Sequence, residues 1–571
     1  MSAVQTLTSS GPETRAFRIT QEKRRRQFSP WVILTALAFG LLALFLGWPI
    51  ASIFLRSFLS SDAGLLAGWE TFFSEPVYLR TVGNTLLLAT IVTLIATCLG
   101  VFLAYFTARH SFWLKSAVAV LPLTAILVPE VIVTQAWLMF LGNNGFLTRF
   151  LRDAIGVEPP SLYGWPGLIL ILPLLYYTYV YLGTLAAFQG FDSQLEEAAM
   201  SLGSPPLVAR LKVTIPVIFP AVAATSLLVF TLTLGNFATS TIIGGQVDLL
   251  APMIYRVFLA ETGGDPMMQS TLATVSIAIV ATVLFIQRLT VGRKKYDMVQ
   301  GRAWTPISLR GFDGMIQSAI AGAILIASTL PLMMVVVIAF TASSGPVLRW
   351  GEFSLDNVTT VLAREPQPIF NTMMFGGLAC LIAVLVSVVV SVVIVKKKNF
   401  LTPYLDYIVM LPLAMSGTVL GIGMMTAFGT GSGPLSLGGT AAIIVLVFVI
   451  RRLPHGIRSA SATLHAIPDS LEDASISLGV SPFRSFINVV LPLMLPGIAA
   501  ATVLTWTTII AELSASLVVY SAGKETITIK VFQLMGTGLN GQAAAYGLIL
   551  VLLAVIPPIV ATKVFKIRLF A

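Results

Sequence analysis

The sequence predicts an all-α membrane protein with about 12 transmembrane helices, arranged as two parallel six-helix repeats with both termini in the cytoplasm. The first reason is composition. Apolar residues make up 56% of the 571 residues and charged residues only 11%, against roughly 25% charged residues in soluble proteins. Mean hydropathy is +0.90. One protein core cannot bury this much apolar surface, so much of it must face lipid.

The second reason is a series of apolar stretches that approach the roughly 20 residues needed to cross a bilayer. Because both halves contain an even number of spans, they run through the membrane in the same direction. The tenth stretch is the shortest. The predicted spans are 31–53, 82–107, 117–140, 165–188, 216–240 and 269–287 in the first half, and 315–340, 371–395, 405–428, 437–450, 493–516 and 542–562 in the second.

Charge placement gives the predicted orientation. With a cytoplasmic N-terminus, 26 of the 35 Lys and Arg residues fall in the cytoplasmic loops and tails, as the positive-inside bias expects. The net charge of +10 therefore indicates topology and contact with anionic lipid heads, and no nucleic-acid partner is predicted. The basic clusters on this side are residues 24–26, 293–295 and 396–398.

The third reason is an internal repeat in two predicted cytoplasmic loops. An acid, small residues, a glycine and a proline recur in register, each 276 residues from its partner. Such a repeat indicates two equivalent halves. The first copy contains Glu197, Ala198, Ala199, Gly203 and Pro216, and the second contains Asp473, Ala474, Ser475, Gly479 and Pro492.

A second pair of landmarks, Asn84 and Asn371, is separated by 287 residues. The first half therefore has 11 extra residues between the landmarks, and we assign them to the polar outer loop 141–164. The predicted domains are a cytoplasmic tail at 1–30, which is not a cleaved signal peptide, a first repeat at 31–287, a cytoplasmic linker at 288–312 and a second repeat at 313–571.

Each repeated loop predicts a helix-turn-helix. Short helices at 194–202 and 470–478 end at Gly203 and Gly479, since glycine adopts the left-handed conformation that often ends a helix. A second helix then runs up to a proline at the membrane face. The acid lies near the start of the first helix, where the helix dipole favours negative charge.

This signature closely resembles the EAA loop of permease subunits in binding-protein-dependent ABC importers. The resemblance implies that both loops dock on two copies of an ATPase subunit at the cytoplasmic face. It also implies an external solute-binding protein and a location in the bacterial inner membrane. The second copy departs from the pattern at Asp473 and Ser475, which keep the charge and the small size.

No nucleotide-binding motif occurs in the sequence. The nearest string, Ala522-Gly523-Lys524-Glu525, lacks the upstream glycine and the spacing of a phosphate loop. ATP is therefore expected on the partner subunit, and no cofactor or enzymatic activity is predicted for this chain. The three histidines are scattered, so no metal site is predicted either.

Acidic residues inside spans are costly and are candidates for a solute path. Glu130 lies in the third predicted span and Glu512 in the eleventh, where the repeat partner of Glu512 is Asn236. We predict that Glu512 and Asn236 face each other across the path, which suits a cationic or metal solute. The alternative is that these residues join helices by polar contacts.

The solute is suggested mainly by resemblance. Single chains that fuse two six-span halves resemble importers for ferric iron, 2-aminoethylphosphonate or thiamine. The segment from Lys295 to Arg302 resembles the ferric type, so ferric iron is the first candidate, and polyamines and inorganic anions stay open. An ion-coupled secondary transporter explains the hydrophobicity equally well but leaves the paired loops unexplained.

Overall fold

The computed structural model describes residues 30–59, 64–112, 115, 118, 121–259, 265–291, 304, 306–309, 311–345, 347–431 and 435–565. Most of the predicted N-terminal tail, the basic clusters at 24–26 and 293–295, and the segment from Lys295 to Arg302 lie outside these residues. Of the predicted linker 288–312, the structure describes residues 288–291, 304, 306–309, 311 and 312.

The first half combines long helices with short ones, and several of them have proline in the first turn, where its missing N–H group costs nothing. A π-helical turn at Ala43–Gly47 joins the first two helices and another at Arg210–Thr214 joins two more. The helices are Pro30–Leu42, Trp48–Phe58, Ala67–Ser74, Pro76–Arg109, Thr124–Leu127, Glu130–Leu141, Phe146–Phe150, Trp165–Gln189, Ser193–Ser201, Pro206–Ala209, Ile215–Leu234, Ala238–Ile243, Leu250–Leu259 and Pro266–Val291.

The second half repeats this order. Its helix Ala441–His465 begins and ends 276 residues after Trp165–Gln189, and its π-helical turn Phe486–Val490 lies 276 residues after Arg210–Thr214. The helices are Gly311–Ala339, Asp356–Thr359, Gln367–Val395, Thr402–Met410, Gly417–Phe428, Ala441–His465, Asp469–Ser477, Pro482–Ser485, Leu491–Ile510, Ser516–Val519, Ile527–Gly536 and Asn540–Phe565.

The predicted placement of the 11 extra residues agrees with these helix bounds. Glu130–Leu141 and Gly417–Phe428 keep the 287-residue offset, whereas the next helices, Trp165–Gln189 and Ala441–His465, have the 276-residue offset. The extra residues therefore lie between Leu141 and Trp165. This segment contains the short helix Phe146–Phe150 and the π-helical turn Leu151–Ile155.

Two small sheets accompany the helices in the described part of the chain. His110–Ser111 pairs in parallel with Ile307–Ser308 and attaches the linker to the first half. Thr341–Ser344 and Val347–Phe353 form an antiparallel hairpin. Trp304 of the linker packs among Tyr105, Phe188 and Phe191.

Nine helices in the described residues are long and apolar enough to cross a membrane, or ten if a pair bent by 113° is one span. These nine correspond to nine of the twelve predicted spans, and the bent pair, Thr402–Leu413 and Gly417–Phe428, corresponds to 405–428. The predicted span 117–140 is not one continuous helix either, because residues 128 and 129 are not helical and separate Thr124–Leu127 from Glu130–Leu141. The predicted span 437–450 is too short, since the helix there is Ala441–His465.

The first helices of the two halves are exchanged. Trp48–Phe58 packs on Gly417–Phe428 of the second half, and Gly311–Ala339 packs on Glu130–Leu141 of the first. Two large apolar clusters result, and each combines residues from both halves.

Candidate coupling loops and central polar cavity

Residues 192–216 and 468–492, here called the first and second coupling loops, contain nearly the same turn. Gly203 and Gly479 both have φ of +90°, and each amide donates to the carbonyl three residues earlier over 2.9 Å. No atom lies within 4 Å of a Cβ added at either glycine. The left-handed backbone alone therefore calls for glycine, and the predicted conformation is confirmed.

The rest of each coupling loop differs from the prediction in one respect. Pro216 and Pro492 do not end a helix, because the chain continues through them into the spanning helices that end at Leu234 and Ile510. Each proline lies in the first α-helical turn after a π-helical turn, at Arg210–Thr214 in the first loop and at Phe486–Val490 in the second. The signature residues Glu197, Ala198, Asp473 and Ala474 are exposed, whereas Ala199 and Ser475 are half-buried.

Apolar side chains also lie uncovered at these turns. Leu202 is 89% exposed and Leu478 is 85% exposed, directly before the two glycines. Leu207 and Phe483, which follow the glycines by four residues, are 66% exposed each. Uncovered apolar side chains rimmed by polar residues are typical of a surface that binds another protein.

A buried acid that the sequence analysis missed holds each coupling helix in place. Glu196 is 1% exposed and accepts from Arg210 and from the Thr214 hydroxyl, each over 3.3 Å. Its repeat partner Glu472 is 6% exposed and accepts from Lys397 over 2.8 Å. Both acids keep the 276-residue offset, so the repeat could have identified them beside the exposed acids.

The second coupling loop has an additional ion pair, in which the Asp469 side chain is exposed and the Lys396 side chain is largely buried. Lys396 donates to the Asp469 carboxylate and to the Ile467 carbonyl. The hydrogen bond and the positive charge of Lys396 lower the pKa of Asp469 below its usual range. The first loop has Ser193 at the equivalent position and instead caps its helix with Asp192, which accepts from the Gln194 amide over 3.0 Å.

In the first half, polar side chains meet where two spans are interrupted. Glu130 begins its helix after Pro129, and its carboxylate accepts from the Tyr176 hydroxyl over 2.7 Å and from Asn236 over 2.9 Å. Asn236 lies just after the helix that ends at Leu234 and accepts from the amide and hydroxyl of the serine four residues later, over 3.0 Å each. Glu130 and Asn236 are thus directly bonded.

In the second half, the acid is paired with two arginines. Oε2 of Glu512 lies 2.8 Å from Nε of Arg451 and 2.8 Å from Nη2 of Arg452. Arg452 also donates to the Thr508 carbonyl over 2.8 Å, and the Ala515 amide donates to Glu512 over 3.1 Å. Glu512 is 4% exposed. The positive partner that the sequence analysis sought in a solute is therefore present in the chain.

Glu130 and Glu512 line one cavity of about 170 Å³ between the two halves, together with Arg451 and Arg452. Asn236 is buried and bonded to Glu130, but unlike Glu512 it does not line this cavity. Glu512 and Asn236 lie just beyond the ends of their helices, where the sequence analysis placed them within spans.

Neither arginine is among the predicted site residues, because the predicted tenth span ends at residue 450. A hydropathy window treats two adjacent charges as the end of a span. The 276-residue repeat contains the missing signal, since it places the tenth helix opposite Trp165–Gln189 and Arg452 opposite Tyr176. The repeat therefore extends the tenth helix across the arginine pair.

Two repeated helical halves, two exposed turns and a polar cavity between the halves define a membrane transport component. The family model of the binding-protein-dependent transport system inner membrane component matches residues 96–292 and again residues 395–566. The chain therefore belongs to this family, and it is a permease subunit of an ABC importer. The two matches correspond to the two halves.

Several curated relatives are similar over most of the chain. A ferric transport system permease protein FbpB of Actinobacillus pleuropneumoniae is 25% identical over 540 residues, covering 90% of this chain and 76% of that protein. A putative ferric transport system permease protein FbpB 1 of Haemophilus influenzae is 26% identical, covering 84% and 77%. A putative 2-aminoethylphosphonate transport system permease protein PhnV of Salmonella typhimurium is 25% identical, covering 39% and 83%.

A solved structure also shows similarity. It is the crystal structure of a bacterial ABC transporter involved in the import of the acidic polysaccharide alginate, with a TM-score of 0.38 and 20% sequence identity. The match covers 49% of this chain and 99% of that one.

Proposed function

We propose that this protein translocates ferric iron across the bacterial inner membrane as the permease subunit of an ABC importer. The supporting observation is coverage. The ferric relatives match 84–90% of the chain and so include both halves, whereas the aminophosphonate relative matches 39%. In this proposal an external binding protein delivers the iron to the outer face.

The coupling loops are the proposed docking sites for two copies of a separate ATPase. Exposed Leu202 and Leu478 supply apolar contact area, and Glu197 and Asp473 supply exposed charge beside it. Buried Glu196 and Glu472 connect each coupling helix to the chain behind it. Displacement of the first turn is therefore transmitted to the helix Ile215–Leu234, and displacement of the second turn to the helix Gln367–Val395.

Uptake of ⁵⁵Fe tests the proposal. The permease is co-expressed with its ATPase, purified and reconstituted in proteoliposomes with the cognate iron-loaded binding protein outside and ATP inside. Iron uptake that depends on ATP, with two ATPase copies per permease, is the expected result. Uptake driven by a proton or sodium gradient without an ATPase would instead identify an ion-coupled secondary transporter.

Cysteine labelling tests the proposed orientation. In a variant lacking Cys98 and Cys380, cysteines are introduced one at a time at Ser204, Ser481 and Asn143. The two coupling-loop cysteines are expected to react with a membrane-impermeant thiol reagent only from the cytoplasmic side, and the one at Asn143 only from outside. The reverse pattern at any position would contradict the orientation.

A further inference from the structure

The central cavity has walls of opposite charge. Glu130 lies on the wall contributed by the first half, and Arg451 and Arg452 lie with Glu512 on the wall contributed by the second half. The volume of about 170 Å³ is well above the roughly 10–15 Å³ that one water molecule requires. A small polyatomic group fits there.

The charges on the second wall do not cancel. Both arginines share the single carboxylate Glu512 and use its Oε2 atom. Among the described residues, Nη1 of Arg451 and Nε of Arg452 are buried and have no hydrogen-bond partner. Buried polar groups are normally hydrogen-bonded, so the single carboxylate leaves the arginine pair with unused donors, which favours an additional hydrogen-bond acceptor.

The wall contributed by the first half favours a cation. The carboxylate of Glu130 is bonded to neutral donors, the Tyr176 hydroxyl and the Asn236 amide. Its negative charge is therefore not matched by an ion pair within the first half. A cation in the cavity would lie next to Glu130, whereas it would be repelled by the arginine pair.

We infer that Arg451 and Arg452 bind an oxyanion of the phosphate type, which enters the cavity together with the iron. Guanidinium groups bind tetrahedral oxyanions through parallel N–H donors, and the accompanying cation lies on the Glu130 side. In the empty state Glu512 occupies the arginines in place of the oxyanion. The identity of the cation rests on the proposed function, but the oxyanion site does not.

The test uses the permease–ATPase complex in lipid nanodiscs, with ³³P-labelled inorganic phosphate as the probe in equilibrium dialysis. R451Q and R452Q are each expected to weaken phosphate binding by about tenfold, since each removes charge-assisted hydrogen bonds. E512Q is expected to tighten binding by several-fold, because it removes the internal anion that competes for the arginines. If these three residues only stabilised the fold around the cavity, all three substitutions would weaken phosphate binding.

Arg256→Gln is the matched control. Arg256 forms an ion pair with Asp248 over 3.0 Å, and neither residue lines the cavity. The control should bind phosphate as the unmodified complex does. Unchanged binding in R451Q and R452Q, or weaker binding in E512Q from a complex that still assembles, would overturn the oxyanion site.

Double-label uptake, with ⁵⁵Fe on the binding protein and free ³³P-phosphate outside the vesicles, distinguishes this inference from the proposed function. Uptake of both labels, with both reduced in R452Q, supports the inference. Uptake of iron without phosphate, together with no phosphate binding in nanodiscs, overturns it and leaves iron transport intact. Binding of phosphate without iron uptake supports the oxyanion site and overturns iron as the cargo.

Discussion

The two halves have equivalent helices around the central cavity but place different polar side chains on them. Each half contributes one carboxylate to the cavity, but the acid lies on a different element in each. The first half uses neutral donors around its acid, and the second uses two arginines. The equivalent pairs are Glu130 and Gly417, Tyr176 and Arg452, and Asn236 and Glu512.

The absence of a side chain at Gly417 explains how the second half accommodates its arginines. A Cβ atom at this position would overlap Nη1 of Arg451 and lie 2.7 Å from Cβ of Ser514. The space that Glu130 fills in the first half is thus used by Arg451 in the second. The two halves therefore have equivalent helices but carry their charged side chains at different positions.

In the coupling loops, the two turns have the same conformation, whereas the buried acids Glu196 and Glu472 have different partners. Glu196 is bonded within its own loop, to Arg210 and Thr214. Glu472 is bonded to Lys397, which follows the spanning helix Gln367–Val395. The second loop is therefore connected directly to another span.

The largest effect on stability is expected at Gly417, where the two halves differ next to the central cavity. G417A should destabilise the protein by about 1–3 kcal/mol, because the added methyl group displaces Arg451 from Glu512. G377A is the matched control, since no atom lies within 4 Å of a Cβ there. Thermal unfolding in detergent measures both, and equal melting temperatures would contradict the proposed role of Gly417.

The next effect tests the shared turn. G203V and G479V should each cost about 1–2 kcal/mol locally, because a β-branched residue disfavours the left-handed backbone. Solute-stimulated ATP hydrolysis should fall in both variants while membrane insertion is retained, and G377V should behave as the unmodified protein. Unchanged stimulation in both loop variants would show that the loops do not couple to the ATPase.

The anchors of the coupling helices should then separate the two loops. E472Q is expected to lower stimulated ATP hydrolysis more than E196Q, since it removes the ion pair to Lys397, which follows another span. The partly exposed partners limit each loss to about 1 kcal/mol. A larger loss in E196Q would reverse the predicted order of the two loops.

The smallest effect concerns the ion pair between Lys396 and Asp469, which the first loop lacks. Because Lys396 lowers the pKa of Asp469, the pair contributes stability above the ordinary carboxyl pKa of about 3.9. This contribution is lost as pH falls through the lowered value. D469N should therefore melt slightly below the unmodified protein at pH 5–7, and the two should converge in more acidic solution. A difference that grows on acidification would contradict this sign.

The sequence predicted the repeated turn well because the turn depends on local backbone chemistry. Gly203 and Gly479 need a left-handed φ whatever surrounds them. The central breaks were harder to predict. Pro129 gave a local hint in one half, but the arginine pair resembled the end of a span because hydropathy is averaged over about 20 residues.

By itself, the sequence determined the membrane environment, the two halves and their register, since composition and spacing along the chain suffice for these. Only the tertiary structure decided which polar side chains meet. Arg451, Arg452 and Glu512 are tolerable in an apolar region because folding brings each arginine to 2.8 Å from the Glu512 carboxylate. That proximity depends on packing between helices about 60 residues apart, which no local pattern specifies.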